Sequence, residues 1–309
     1  MARAVVTGGA GFIGSHVADA LLERGDDVLV VDDLSSGRRE LVPEAAAFEQ
    51  IDIVDAEALA AAVDAFRPGF VCHLAAQASV TVSVERPQYD CSVNVAGTLN
   101  VCESAQRHGA PVVFASTGGA LYGDNAPLPT AEEFDPEPLS PYGASKQAAE
   151  AYVTTWGRLH DAANVVLRLG NVYGPRQNPH GEAGVVAIFS EKLLAGEPPA
   201  LRGDGAPTRD YVHVSDVARA FVCAAEAGRS GVYNVGTGVA TSTTRLLEVL
   251  QNAAGTSLEP RREPLQPGEL RASALDASRI EHDLDWRPAI EVETGLAQTF
   301  AAYAERRRR

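Results

Sequence analysis

The sequence predicts an α/β protein, with a doubly wound parallel sheet followed by a smaller mixed α/β C-terminal lobe. Two observations carry this. Short β-branched runs alternate with segments of helical apolar spacing, the pattern of a parallel sheet covered by helices on both faces. The first of these units, AVVTGGAGFIGSHVADALL from Ala4 to Leu22, joins strand to helix through a glycine turn. Only in that strand–turn–helix context does a glycine triplet carry weight.

Gly8, Gly11 and Gly14 recur at every third position of that turn. The first permits the tight turn, the second lets backbone approach a pyrophosphate, and the third lets the helix pack on the strand. Phe12 and Ile13 open the helix, whose free N–H groups and dipole favour an anion. The second strand, Asp27–Val31, ends at Asp32 and Asp33. An acid there is placed to accept from adenosine ribose hydroxyls and to repel a 2′-phosphate, which favours NAD over NADP. Arg38 and Arg39 keep NADP in consideration.

A third strand, Phe48–Ile53, brings Asp52 and Ile53 to its end, where a carboxylate can meet the adenine amino group or simply close a strand. Asp55 is placed to cap the following helix, which runs to Phe66. The fourth strand, Phe70–Leu74, is followed by Ala75, Ala76 and Gln77, small residues that leave backbone room for a ligand. The helical pattern from Pro87 to Arg107 buries Asn94, whose amide then needs partners. The fifth strand, Pro111–Ala115, runs into Ser116, Thr117, Gly118 and Gly119. An acidic, Pro-rich loop to Pro141, a helix over Tyr142–Leu159 and a sixth strand, Val165–Leu169, complete the alternation.

Beyond Arg168 the pattern loosens into a helix at Val185–Leu194, a strand at Tyr211–Val214, a helix at Ser215–Ala227, a strand at Val232–Val235 and a helix at Thr243–Ala254. The expected division is a dinucleotide-binding domain over 1–167 and a lobe over 168–309, with a segment near 211–236 returning to the main domain.

The 309 residues carry a formal charge of −15, which argues against nucleic acid as a partner. No apolar run reaches the roughly 18 residues of a membrane span, and the chain enters a strand at once, so neither a membrane segment nor a signal peptide is expected. Cys72, Cys91, Cys102 and Cys223 are scattered, as in a reduced cytoplasmic protein. The histidines show no ligand spacing, so no metal site is expected.

Of the 26 basic residues only Lys146 and Lys192 are lysines. A lysine in so arginine-biased a chain points to a need for its compact ammonium. Lys146 lies four residues after Tyr142, on the same helix face. A phenol is a weak base at neutral pH, but a nearby ammonium and a cationic nicotinamide both favour the phenolate. The pair is therefore a candidate acid–base device, with a lowered phenol pKa expected.

Taken together these stretches resemble the extended short-chain dehydrogenase/reductase family, whose members carry a Rossmann-like domain, and within it the nucleotide-sugar epimerases. The matching pieces are TGGAGFIGSH (7–16), VDDLSSG (31–37), HLAAQASV (73–80), NVAGTLNV (94–101), STGGALYG (116–123), SPYGASK (140–146), RLGNVYGPRQ (168–177), GDGAPTRDYVHVSDVA (203–218) and YNVGTG (233–238). The resemblance implies NAD-dependent inversion at C4 of a UDP-hexose through a transient 4-keto sugar. It assigns the proton transfer to Tyr142 and the nicotinamide ribose to Lys146. NAD is assigned to the glycine turn with Phe12 and Ile13, to Asp32 and Asp33, to Asp52 and Ile53, to Leu74 through Gln77, to Asn94, and again to Tyr142 and Lys146. The UDP-sugar is assigned to Thr117, Gly118, Gly119, Asn171, Val186, Arg202, Arg209 and Arg271.

One departure stands out. Many of these epimerases carry a catalytic Ser or Thr where this chain has Gly118. Thr117 is expected to take that role, with Ser116 the next hydroxyl. The glycines also leave no acid for the dehydratase or decarboxylase relatives, although these, a keto-sugar reductase and a UDP-glucuronate 4-epimerase remain the alternatives. Gly118, Gly119, Ala272 and Ser273 suggest a roomy sugar pocket that accepts N-acetylated hexoses. The family usually dimerises through two helices per subunit, here 87–107 and 142–160, so a homodimer is expected.

Overall fold

The computed structural model describes residues 1–179, 184–264 and 270–308. The chain opens with β1 (Arg3–Thr7), α1 (Phe12–Glu23), β2 (Asp27–Asp32), β3 (Ala47–Gln50), α2 (Ala56–Phe66) and β4 (Phe70–His73). Two short helices, α3 (Val80–Glu85) and α4 (Pro87–Cys91), lead through a π-helical turn at Ser92–Gly97 into α5 (Thr98–Gln106). Then come β5 (Val112–Thr117), α6 (Pro141–His160), β6 (Val165–Leu169) and β7 (Asn171–Tyr173). The remainder holds α7 (Val185–Leu194), β8 (Ala200–Arg202), β9 (Thr208–His213), α8 (Val214–Glu226), β10 (Gly231–Val235), β11 (Ala240–Ser242), α9 (Thr243–Ala254), β12 (Arg261–Glu263), α10 (Ser278–Leu284) and α11 (Val292–Arg308).

Seven strands form one parallel sheet in the order β10-β6-β5-β4-β1-β2-β3. Strand alternation sorts the apolar residues onto its two faces. Ala4 and Val6 of β1 join Val17 and Leu21 of α1 and Val217 and Phe221 of α8 in one core. Val5 joins Leu59 and Val63 of α2, Val101 of α5 and Val153 of α6 in the other. The chain leaves β1 toward β2 and later resumes on its other side at β4, so a crevice opens at the carboxyl ends of β1 and β4. A third, smaller core of Tyr173, Phe189, Leu201, Leu246, Leu250 and Leu296 fills the C-terminal part. Beside it stand a three-stranded sheet, β11-β9-β7, and a two-stranded pair, β12-β8.

Three expectations shift. The third strand stops at Gln50, because the Asp52 carboxylate takes the Val54 N–H at 2.9 Å and turns the chain early. The helix over 87–107 is one rod with a π-turn inside it, its flanking residues Cys91 and Thr98 still in helical conformation. The strand expected at 211–214 begins earlier, at Thr208, where pairing with β11 extends it.

Candidate active site

At the crevice between β1 and β4, Gly8 has φ +72°, a left-handed conformation suited to glycine. A Cβ there would lie 2.6 Å from Ala75 N, so the glycine turn touches the Leu74–Gln77 loop directly. A Cβ at Gly14 would lie 2.1 Å from the Gly8 carbonyl oxygen. Gly11 caps α1 without a side chain, and the first turn has no acid, which leaves the N–H groups of Phe12 and Ile13 unmasked by carboxylate. Asp32 ends β2 buried, and its carboxylate accepts from Ala10 N at 3.0 Å and Leu34 N at 2.9 Å. Burial raises its pKa.

The other residues expected at this end are spread more widely. Asp33 is exposed and turned into its own loop, accepting from Ser35 N at 2.9 Å. Asp52 is exposed, while Ile53 is buried against the π-turn, where a Cβ at Gly97 would meet it at 2.7 Å. Gln77 is turned inward. Its amide donates to Asp90 at 2.7 Å, and its own N–H donates to Asn94 Oδ1 at 2.9 Å. Asn94 Nδ2 donates in return to the Gln77 carbonyl at 2.9 Å and reaches Ser145 Oγ at 3.1 Å. The π-turn aims Asn94 at these partners and satisfies the buried amide completely.

Tyr142 and Lys146 lie one turn apart on α6, started by Pro141 and capped by Ser140, whose hydroxyl accepts from Gly143 N at 3.2 Å. Lys146 is buried. Its Nζ donates to the Ala115 carbonyl at 2.9 Å and stands 4.6 Å over the Phe114 ring. Burial pulls its pKa down to about 8, against the opposing pull of Asp90 and Glu150. Burial, and after it the Asp90 charge, push the Tyr142 phenol up to about 12, against a smaller lowering from the neighbouring Thr117 hydroxyl. This corrects the lowered phenol expected from Lys146. The protein's own groups favour the neutral phenol.

Of the two candidate hydroxyls, the structure brings Thr117 to Tyr142. Ser116, one residue earlier and on the opposite face of β5, donates instead to Glu150. Gly119 faces Asn171, whose Oδ1 lies 3.3 Å from where a Cβ would sit. Gly118 faces Leu275, and a Cβ there would come within 2.5 Å of Leu275 Cδ1. The space beside these glycines, lined also by Tyr122, Ala272 and Ser273, is a crevice of about 10 Å³. That is room for about one water, so the roomy pocket read from small residues is filled by Leu275 at this point.

Arg209 and Arg271 approach each other through their backbones. Thr208 N donates to the Arg271 carbonyl at 3.0 Å, and Thr208 pairs with Ala272. Arg202 lies apart from them on β8, paired with β12. Val186 is buried in the C-terminal core, at the start of α7.

A family model described as the NAD dependent epimerase/dehydratase family matches residues 4–236. The chain belongs to that family. It is 47% identical over 304 residues to a UDP-glucose 4-epimerase of Mycolicibacterium smegmatis, covering 96% of this chain and 97% of the relative. Two solved structures resemble it closely. The UDP-glucose 4-epimerase of Thermotoga maritima with UDP-glucose superposes with a TM-score of 0.96 at 44% identity, covering 98% of this chain and 99% of that one. The UDP-glucose 4-epimerase of Thermus thermophilus with NAD gives 0.91 at 45% identity, covering 97% and 98%.

Family motifs did not single out the buried acids that organise this region. Asp90 is 1% exposed and, besides Gln77, takes Asn94 Nδ2 at 3.1 Å. Asp210, also 1% exposed, accepts from Thr237 N at 2.8 Å, Thr237 Oγ1 at 2.6 Å, Gly238 N at 2.9 Å and Leu275 N at 3.0 Å. Glu150 had a readable signal, one helical turn past Lys146 on the same face. Asp210 falls inside the matching stretch 203–218, but its partners Thr237, Gly238 and Leu275 come from segments distant in sequence.

Proposed function

We propose that this chain is an NAD-dependent 4-epimerase of UDP-hexoses. The observation that carries the reading is Tyr142 and buried Lys146 one turn apart on α6, with Lys146 held to the end of β5 and Thr117 beside the phenol. The glycine cradle fits a dinucleotide because glycine at 8 and 14 lets the turn close on the Leu74–Ala75 backbone and lets α1 start tightly against it, with no acid in its first turn to mask the N–H groups. Asp32, Leu74 to Ala76, Asn94 and the N–H groups of Phe12 and Ile13 complete the residues that would hold it. When bound, NAD supplies reversible hydride acceptance at sugar C4, and its positive ring adds a cation that favours the Tyr142 phenolate.

The chain's own groups do the remaining work. Thr117 orients the sugar 4-hydroxyl toward Tyr142, and Tyr142 takes and returns its proton. Lys146 holds the ribose and keeps a positive charge near the phenol. Asn171, Arg209 and Arg271 bind the nucleotide diphosphate, a task suited to the arginine fork. We assign cofactor binding to 1–167 and nucleotide-sugar binding to 168–309, with 211–236 returning to the main domain. The packing of α8 on α1 and the place of β10 in the main sheet support that assignment.

We infer a cytoplasmic homodimer. Among the described residues no helix is long and apolar enough to cross a membrane, and all four cysteines are free. Tyr89, Tyr152 and Leu159 leave apolar surface exposed on α4 and α6, the helices expected at the interface.

The deciding experiment incubates the purified protein with UDP-galactose, UDP-N-acetylgalactosamine and UDP-galacturonate, without added cofactor, and resolves the products. Conversion of UDP-galactose to UDP-glucose is expected, with conversion of the N-acetylated sugar second. Conversion of the uronate alone overturns the hexose reading, and elimination or net NADH accumulation overturns the epimerase reading.

A further inference from the structure

Ser116, Arg168 and Asn234 stand side by side on three adjacent parallel strands, Ser116 of β5 in register with Arg168 of β6, and Arg168 with Asn234 of β10. All three are buried. A polar row across an apolar sheet is tolerated only if every group finds a partner. Here each does. The Glu150 carboxylate accepts from Ser116 Oγ, from Arg168 Nε at 3.0 Å and from Arg168 Nη2 at 2.7 Å. Arg168 Nη1 donates to Tyr122 Oη at 2.8 Å and to the Glu132 carbonyl at 3.3 Å. Tyr122 Oη donates to Asn234 Oδ1 at 2.8 Å.

From Asn234 the path reaches the wall of the crevice. Its Nδ2 donates to the carbonyls of Thr130 at 2.9 Å and Asp276 at 3.1 Å, and its N–H donates to Glu132 Oε1 at 2.7 Å. Thr130 is bridged to Leu275, the side chain that meets Gly118. At its other end, Glu150 continues the Tyr142–Lys146 face of α6. One buried guanidinium therefore links the helix carrying Tyr142 to two loop segments beside Gly118.

A buried ion pair is weak evidence of stabilisation, because apolar residues of similar volume often do as well. What an arginine adds is a planar fork that fixes several partners in one geometry. We propose that Arg168 is a positioning residue that holds the Tyr142–Lys146 helix and the Thr130–Asp276 wall in one relation. The kinetic consequence rests on the epimerase reading, but the structural one does not.

The test compares Arg168→Met, Arg168→Lys and the double variant Glu150→Leu/Arg168→Met with the unaltered protein. Thermal unfolding, turnover of UDP-galactose and amide exchange are measured on each. Arg168→Met strands Glu150 and unfolds at lower temperature. The double variant recovers the unfolding temperature but stays roughly 100-fold slow, the loss that a misplacement of about 1 Å produces. In both the double variant and Arg168→Lys, the Thr130 and Asp276 amides, which pair with the carbonyls of Ala274 and Thr130, exchange at least ~10-fold faster. Recovery of turnover together with stability in the double variant overturns the proposal, as does unaltered exchange at Thr130 and Asp276 in Arg168→Lys. If the unaltered protein converts no UDP-hexose, the epimerase reading fails, and the exchange rates still decide the role of Arg168.

Discussion

Two buried aspartates brace the two ends of the cleft, and they do so differently. Asp32 takes N–H groups from Ala10 and Leu34, both within the first strand–helix–strand unit. Asp210 takes its donors from Thr237, Gly238 and Leu275, which lie 27 to 65 residues further along the chain. The glycine-loop end is thus assembled by neighbours in sequence. The Gly118 end exists only once β9, the turn after β10 and the segment before α10 have met. The first end is expected to form early and to tolerate losses locally, whereas the second fails as a unit.

The chemistry belongs to α6, between these ends. Tyr142→Phe is therefore expected to lower turnover ~1000-fold while leaving the unfolding midpoint near that of the parent. A large drop in stability would tie the phenol to the braces instead.

Asp210→Ala strands several donors and is expected to destabilise by about 3 kcal/mol, against about 1 kcal/mol for Asp32→Ala, read from denaturant midpoints. Equal losses would break the contrast between a local and a distributed end.

Acid titration probes the glycine-loop half through two histidines. Burial lowers the pKa of His16 on α1 to about 4 and of His73 on β4 to about 3. Below about pH 6.5 the unfolded chain binds protons that these rings refuse in the fold, so stability falls as pH drops, by about 3 kcal/mol for the two rings together by pH 5.5. A flat urea midpoint between pH 7 and 4.5 would contradict the burial of both rings. The smallest effect is expected from Thr117→Val, a loss of ~10-fold in turnover with unchanged cofactor content, because one hydroxyl is removed from an otherwise intact site. Unaltered turnover would remove Thr117 from the site.

The same contrast explains what was legible in the sequence. β1, the glycines, Asp32 and the Tyr142–Lys146 pair are periodic or locally spaced; the structure closes the glycine turn onto Ala75, ties Asp32 to Ala10 and puts Tyr142 and Lys146 one turn apart on α6. The phenol shift is not legible locally because its largest cause is burial, set by the whole fold, and its second is Asp90, which lies in a different helix. The match between Gly118 and Leu275 joins residues more than 150 positions apart, and no period or motif spans that distance.

That last contact also bears on mutation. A side chain entering at 118 must displace the end of Leu275, since its Cβ would lie 2.5 Å from Leu275 Cδ1. Shrinking Leu275 first opens a void beside Gly118, itself destabilising by roughly 2–5 kcal/mol for loss of a whole isobutyl group. The two positions are therefore coupled: what a side chain at 118 costs depends on how far the buried Leu275 can turn aside, so substitutions at 118 and 275 are expected to be non-additive.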